Sequence, residues 1–350
     1  MRAKKIPESY VACIRHSTFG NLMVLLKWGI LGTSRIARTQ VIPAMQASGT
    51  HRIVAVGSRD LARATEFASA LNIPTAYGSY EELLEDPEVE AVYNPLPNHA
   101  HVRWSVKALE AGKHVLCEKP IALDAKSAKA LAEAQRATGR VVAEAFMVRA
   151  HPQWLRVHEL VRSGEIGRLA LVTGHFSYSL KDPDNVRNKL EYGGGVLLDI
   201  GCYPIMLSRW LFGEEPTDVA AMIDRDPLTG VDRLTSALLR FPSGQASFTC
   251  AGAGALVPAQ SMQIYGEKAR ILVEIPFNPL PDRPARIIID DGRDLAGSGR
   301  RIEEFPIVNQ FALQADRFAD AIRGVGDVPV SVHDAVRNME VIDAWFRKGV

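Results

Sequence analysis

At 350 residues, with 47% hydrophobic and 23% charged side chains, the chain carries apolar material for two cores and is longer than one domain usually runs. Its 41 basic and 40 acidic side chains leave a net charge of +1, without a basic block able to neutralise a run of phosphates, so no nucleic-acid partner is expected. The four cysteines, Cys13, Cys117, Cys202 and Cys250, form no C-x-x-C pair, so neither a disulfide framework nor a metal site is expected, and a reducing, cytoplasmic setting is.

The opening MRAKKIPESYVACIRHSTFGNLMVLL is basic at first but lacks the apolar stretch and cleavage site of a secretion signal. Residues 1–22 are expected to be a poorly ordered extension ahead of Met23. No run approaches the ~20 apolar residues of a membrane helix, so no membrane association is expected.

From Met23 onward short apolar runs (VLLKWGIL, RIVAVG, AVYNPL, HVLCEK, RVVAEA) alternate with helical patterns such as LARATEFASAL and HVRWSVKALEAG. That alternation predicts βαβ units on a parallel sheet over 23–147, an α/β Rossmann dinucleotide-binding domain. After Ala150 one helix, HPQWLRVHELVRSG, precedes a row of strand-like runs at 168–178, 217–223, 233–241, 245–250, 262–265, 269–274 and 285–289. A Gly-rich turn and an apolar helix stand between the first two runs, and helices at 309–322 and 332–347 close the chain. The row predicts an α+β C-terminal domain over 148–350 with a large, mostly antiparallel sheet.

KWGILGTSRIA (27–37) places a strand, then Gly32, a tight turn and an apolar-periodic helix, the context a dinucleotide fingerprint requires. Aligned on Gly32, G-x-G-x-x-G becomes Gly32-x-Ser34-x-x-Ala37, with Thr33, Arg35 and Ile36 between; Ala is accepted at the last position. An NAD site would put an acid at the tip of the second strand, yet RIVAVGSRD ends in Gly57, Ser58 and Arg59. Asp60 reads as a helix N-cap, while Arg59 and Arg63 offer two guanidinium forks to a 2′-phosphate. NADP is the expected cofactor, with NAD the alternative.

YNPLPNHAHVRWSVKALEAGKHVLCEKPIAL (93–123) and GGGVLLDIGCYPI (193–205) resemble the glucose-fructose oxidoreductase/inositol dehydrogenase (Gfo/Idh/MocA) family. EAFMVRAHP (144–152) and the Asp-Ile-Gly-Cys-Tyr-Pro string are similar to its dihydrodiol dehydrogenase/D-xylose dehydrogenase branch. The resemblance, which covers the chain from about Lys27 to its end, implies that Lys119 and Tyr203 are catalytic, with Asp199 orienting the substrate hydroxyl or the lysine. Asp199 and Tyr203, four apart, would share a helical face, although Asp199 could instead cap the helix. A tyrosine, with an unperturbed pKa near ~10, needs a cation such as Lys119 to act as a base at neutral pH.

The same resemblance puts Pro95, Leu96, Pro97, Asn98, Glu118 and Arg187 around the cofactor and Arg149 and Phe176 in the substrate wall. His101 is expected to pack under the cofactor loop, and Cys117 and Cys202 to be small buried fillers. The implied activity is NADP(H)-dependent transfer of hydride to or from a secondary alcohol or carbonyl of a sugar or cyclic diol. Two alternatives are a dinucleotide-dependent glycosidase and a non-catalytic ligand sensor. The expected partners are a small-molecule substrate and a second copy of the chain, in a homodimer or higher homo-oligomer through the C-terminal sheet.

Overall fold

The structure, a computed structural model, describes residues 4–5, 25–252 and 254–349. Strand β1 is Lys4–Lys5. The described residues of Ser17–Ala150 and Asn309–Val336 form one compact unit, and those of Met1–His16, His151–Val308 and Arg337–Val350 a second.

The first unit is the predicted Rossmann domain. Strands β2 (Leu26–Leu31), β3 (His51–Gly57), β4 (Thr75–Tyr77), β5 (Ala91–Asn94), β6 (His114–Glu118) and β7 (Val142–Ala145) form a sheet in the order β4-β3-β2-β5-β6-β7. Every neighbouring pair is parallel. Helices cover the strands on both faces, so strands of this kind read as nearly unbroken apolar runs rather than alternating ones. Trp28, Ile30, Val56, Tyr93 and Leu116 are buried in one core with Met45 and Phe67. Strand order reverses at β2 and β5, which makes the carboxyl ends of those two strands the expected ligand site of an open α/β sheet.

One boundary differs from the sequence expectation. The helix Gln310–Ile322, predicted to belong with the C-terminal domain, packs on the Rossmann sheet instead. Phe318 lies 5.4 Å from Trp28 between ring centroids, and Asp316 accepts from Thr50 Oγ1 at 2.6 Å and pairs with His51 Nε2 at 3.1 Å. The apolar faces of Trp28 and Phe318 match, which linear order could not reveal.

The second unit carries β8 (Leu169–Ser177), β9 (Asp218–Arg225), β10 (Asp232–Arg240), β11 (Gln245–Ala251), β12 (Ala259–Gly266), β13 (Arg270–Val273), β14 (Ala285–Asp290) and β15 (Arg300–Phe305). The order is β1-β15-β14-β13-β12-β8-β11-β10-β9; β8–β11 and β1–β15 are parallel and the other pairs antiparallel. Seven of these strands match the predicted runs, whereas β15 escaped prediction. Its inward position Glu303 is a buried acid paired with Arg156 at 2.9 Å, so the apolar alternation that marks a strand is missing.

Of the extension expected at 1–22, Lys4–Lys5 are instead an edge strand in register with Glu303–Glu304. The rest of that expectation lies outside the described residues. The stretch Leu190–Phe212 is 23 residues long and apolar enough by composition to cross a bilayer, contrary to the sequence reading. It runs through the turns Leu190–Tyr192 and Leu197–Gly201 into the helix Cys202–Phe212 and is mostly buried inside the protein.

Candidate active site

In the Rossmann unit the ligand end is built from backbone. Gly32 follows β2 at φ +79°, and a Cβ there would stand 2.8 Å from Leu96 Cδ2, so only glycine fits where the first turn touches the loop after β5. Its N–H donates to Gly57 O at 2.7 Å, tying the turn to the end of β3. Ser34, where the fingerprint has glycine, accepts from Ala37 N–H through Oγ at 3.3 Å and so caps the helix it begins. Thr33 and Ile36 are half-buried and Arg35 is exposed.

At the tip of β3 Ser58 is buried, and Asp60 caps the next helix, accepting from Ala62 and Arg63 N–H at 2.9 and 3.3 Å, as its sequence position predicted. Arg59 and Arg63 are exposed. Burial raises the pKa of the nearby Tyr80 phenol against the pull of both arginines. Tyr80 packs edge-on against Trp104 at 4.7 Å and lies under the Gly32 turn; nothing in its sequence surroundings signalled it.

The loops after β5 and β6 are tied together by buried polar groups. Pro95 and Leu96 are buried, Pro97 and Asn98 half-buried. Asn94 Nδ2 donates to His101 O at 3.1 Å and Ser105 Oγ at 2.9 Å. The His101 ring nitrogens lie 2.7 Å from Pro120 O and 2.6 Å from Leu96 O, so the side chain braces both loops rather than facing a ligand. Burial pushes its imidazole down to about 4, against the two carbonyls that favour the cation. Lys119 follows β6, half-buried, before a cis Pro120. The Glu118 carboxylate accepts from Tyr93 Oη at 2.7 Å and from Lys119 N–H at 3.3 Å, while Glu144 Oε1 accepts from Ile121 N–H at 2.8 Å. Arg149, expected in the substrate wall, also counts with the Rossmann unit and pairs with Asp334 at 3.8 Å.

In the sheet unit the candidate site is built from side chains. The predicted apolar helix is Cys202–Phe212, preceded by a π-turn, Leu197–Gly201, so Asp199 and Tyr203 are not simply one α-turn apart. Such π-turns recur at functional sites. Asp232, from β10, accepts from Leu197 N–H at 2.7 Å and takes the capping role that Asp199 could have filled. Gly195, at φ +110°, admits it; a Cβ would fall 1.9 Å from Asp232 Oδ1. Burial pushes the Asp232 carboxyl up to about 6.

Arg187 sits in the turn Val186–Asn188, and its Nε donates to Asp199 Oδ2 at 2.7 Å. Asp199 holds this guanidinium charged, above the ordinary arginine range, and Tyr178 and Tyr203 lie within its electrostatic reach. Tyr203 is 5% exposed, with ring centroids 5.4 Å from Phe277 and 6.1 Å from Phe176; those two phenylalanines stack at 4.4 Å. Phe277 and Tyr178 were not anticipated, since one aromatic in an irregular loop or just past a strand end carries no periodic signal. Cys117 and Cys202 are buried thiols outside any disulfide, as expected of fillers.

Comparison with known proteins bears on this arrangement. Residues 26–146 match the model of the "Oxidoreductase family, NAD-binding Rossmann fold", and 154–272 match the Gfo/Idh/MocA C-terminal domain. The chain belongs to the Gfo/Idh/MocA oxidoreductase family. It is 37% identical to D-xylose 1-dehydrogenase (NADP(+)) 2 of Haloferax volcanii, over 92% of this chain and 96% of that protein. It is 38% identical to trans-1,2-dihydrobenzene-1,2-diol dehydrogenase of Mus musculus, over 64% of this chain and 68% of that protein. Both belong to the branch that EAFMVRAHP pointed to. Among solved structures it resembles KijD10, a 3-ketoreductase from Actinomadura kijaniata in complex with NADP and TDP-benzene, with a TM-score of 0.85 and 28% identity over 93% of this chain and 98% of that one. This family member is accordingly an NAD(P)-dependent oxidoreductase.

Proposed function

We propose that this oxidoreductase uses NADP(H) and acts on a secondary alcohol or carbonyl of a sugar or cyclic diol. The observation that carries the substrate class is the setting of Tyr203: a phenol against the stacked Phe176–Phe277 pair, with the Arg187–Asp199 ion pair in its electrostatic reach. An aromatic wall suits the apolar face of a ring, and polar groups at its edge suit ring hydroxyls. NADP is supported by Arg59 and Arg63 where an NAD site would carry an acid, and by relatives whose names or complexes include NADP. The Gly32 turn and the capped helix after it fit the pyrophosphate of such a dinucleotide.

Bound NADP supplies the hydride chemistry. In this reading Tyr203 takes the proton of the substrate hydroxyl during oxidation and returns it during reduction. A phenol needs a cation to act as a base near neutral pH, and the family resemblance supports Lys119 for that role. Asp199, fixed by Arg187, orients the substrate hydroxyl. The test is a screen for NADPH production at 340 nm across aldoses, inositols and dihydrodiols. Sustained production with one class supports the reading, whereas substrate cleavage without net NADPH overturns it in favour of the glycosidase alternative.

We also propose a homodimer through the sheet. Met222 and Leu238 are 69% and 59% exposed on a face that also bears Thr173, His175, Ser247 and Gln263. Leu238→Asp should convert a dimer, seen by analytical ultracentrifugation, to a monomer; a wild-type monomer contradicts the proposal.

A further inference from the structure

Tyr203 is placed by its backbone as well as by the rings around it. The carbonyl of Cys202, half of the peptide that leads into Tyr203, accepts from Asn338 Nδ2 at 3.2 Å. Asn338 lies in the closing helix Val332–Lys348, in the part of it that counts with the sheet unit. It is 0% exposed, on a helix whose Ala335, Met339, Ile342 and Trp345 are buried too. Its Oδ1 has no hydrogen-bond partner among the described residues. A buried amide is costly unless it is paired, and leucine, of similar size, would carry no such cost at this position. The bond to Cys202 is the interaction that the amide makes and leucine could not.

Local bonds alone leave this junction weakly set. Here the π-turn Leu197–Gly201 gives way to the helix Cys202–Phe212, and Pro204, next after Tyr203, has no N–H to return to the preceding turn. The run is instead tied from outside at both ends: Leu197 N–H donates to Asp232 at 2.7 Å, and Asn338 donates to the Cys202 carbonyl. We infer that Asn338 is a positioning residue for the reaction, fixing the Cys202–Tyr203 peptide and through it the place of the Tyr203 hydroxyl. This rests on the reading of Tyr203 as the group that moves the proton. The rings of Phe277 and Phe176, 5.4 and 6.1 Å away, limit the tilt of its side chain, whereas the backbone decides where that side chain starts.

Asn338→Leu removes the donor at nearly constant volume. It should lower kcat about 10-fold and leave KM for NADP within about 2-fold. Because Asn338 acts through Tyr203, the Asn338→Leu/Tyr203→Phe double variant should be no slower than Tyr203→Phe alone. Ile342→Val thins the same helix face one turn on and keeps the amide, so it should lower Tm and leave kcat within about 2-fold. A readout that needs no turnover is the ¹³C spectrum of the tyrosine-labelled protein without cofactor, with Tyr203→Phe and Tyr265→Phe assigning two signals. Asn338→Leu should shift the Tyr203 resonance and leave that of Tyr265, on β12, in place. If Asn338→Leu does not fold, Asn338→Ala removes the same donor and carries the same expectations. An unmoved Tyr203 signal, an equal kcat loss in Ile342→Val, or a double variant slowed by the product of the two single effects overturns the inference. Should the unmodified protein reduce no NADP with any substrate, the functional reading fails, while the tyrosine spectrum still decides whether Asn338 places Tyr203.

Discussion

The two units build their candidate sites by opposite means. Apart from the candidate side chain of Lys119, the Rossmann unit presents backbone: the Leu96 loop and the segment after Glu118 are braced from behind by buried side chains, Asn94, His101 and Glu144, and the Gly32 turn packs on Leu96. The sheet unit presents side chains, Tyr203, Arg187 and Asp199, braced by each other and by stacked rings. A dinucleotide is an extended polar ligand met by N–H groups at helix starts, so backbone geometry suffices for it. A proton transfer needs one atom with a tuned ionisation, which only a side chain and its neighbours provide.

That contrast predicts separable losses. The largest should follow changes to Tyr203 and Lys119, the side chains proposed to move the proton. Tyr203→Phe and Lys119→Met should each slow turnover by about 10²–10⁴-fold while NADP affinity stays within a few-fold, and the double variant should be scarcely worse than the slower single one. Steady-state kinetics beside calorimetric NADP binding checks this; a Tyr203→Phe enzyme near full oxidation rate would move the proton to another group.

A second test strikes the brace rather than the reacting groups. Folded His101 titrates at about 4 and an unfolded histidine near ~6.5, so the unfolded state binds more protons in that window. Stability should therefore be full above pH 6.5 and fall as pH drops towards 4, by on the order of 3 kcal/mol from this residue. Urea unfolding at a series of pH values should show a shallower acid loss in His101→Gln, and an unchanged slope contradicts the assignment. The smallest effect is expected at the exposed cofactor edge. Arg59→Ala should weaken NADP about 10-fold, or ~1.4 kcal/mol, and leave NAD nearly unchanged, as one lost charge-assisted hydrogen bond would. Equal loss for both nucleotides in calorimetry would tie Arg59 to Tyr80 packing instead.

The legible parts of the chain are those where local sequence and local structure share a cause. Asp60 was read as a cap because an Asp ahead of an apolar-periodic run satisfies free N–H groups wherever the run folds. Gly32 was legible because a strand, a turn and a helix follow one another without a gap. Tyr178 and Phe277 were not, since each acquires its meaning from a partner distant in the chain. Strand β15 was hidden by the charge it buries at Glu303.

By itself, then, the sequence determined the parallel and antiparallel sheets, the strand-turn-helix at Gly32 and, through two motifs, the family, and it nominated Lys119, Asp199 and Tyr203 as candidates for the site. Only the tertiary structure decided that Gln310–Ile322 returns to the Rossmann sheet, that Asp232 rather than Asp199 caps the Tyr203 helix, and that Arg187 is bound to Asp199. The physical reason is range. Periodicity and capping act within a few residues and are written in order along the chain, whereas ion pairs and ring stacks form between surfaces that meet only after folding has buried them.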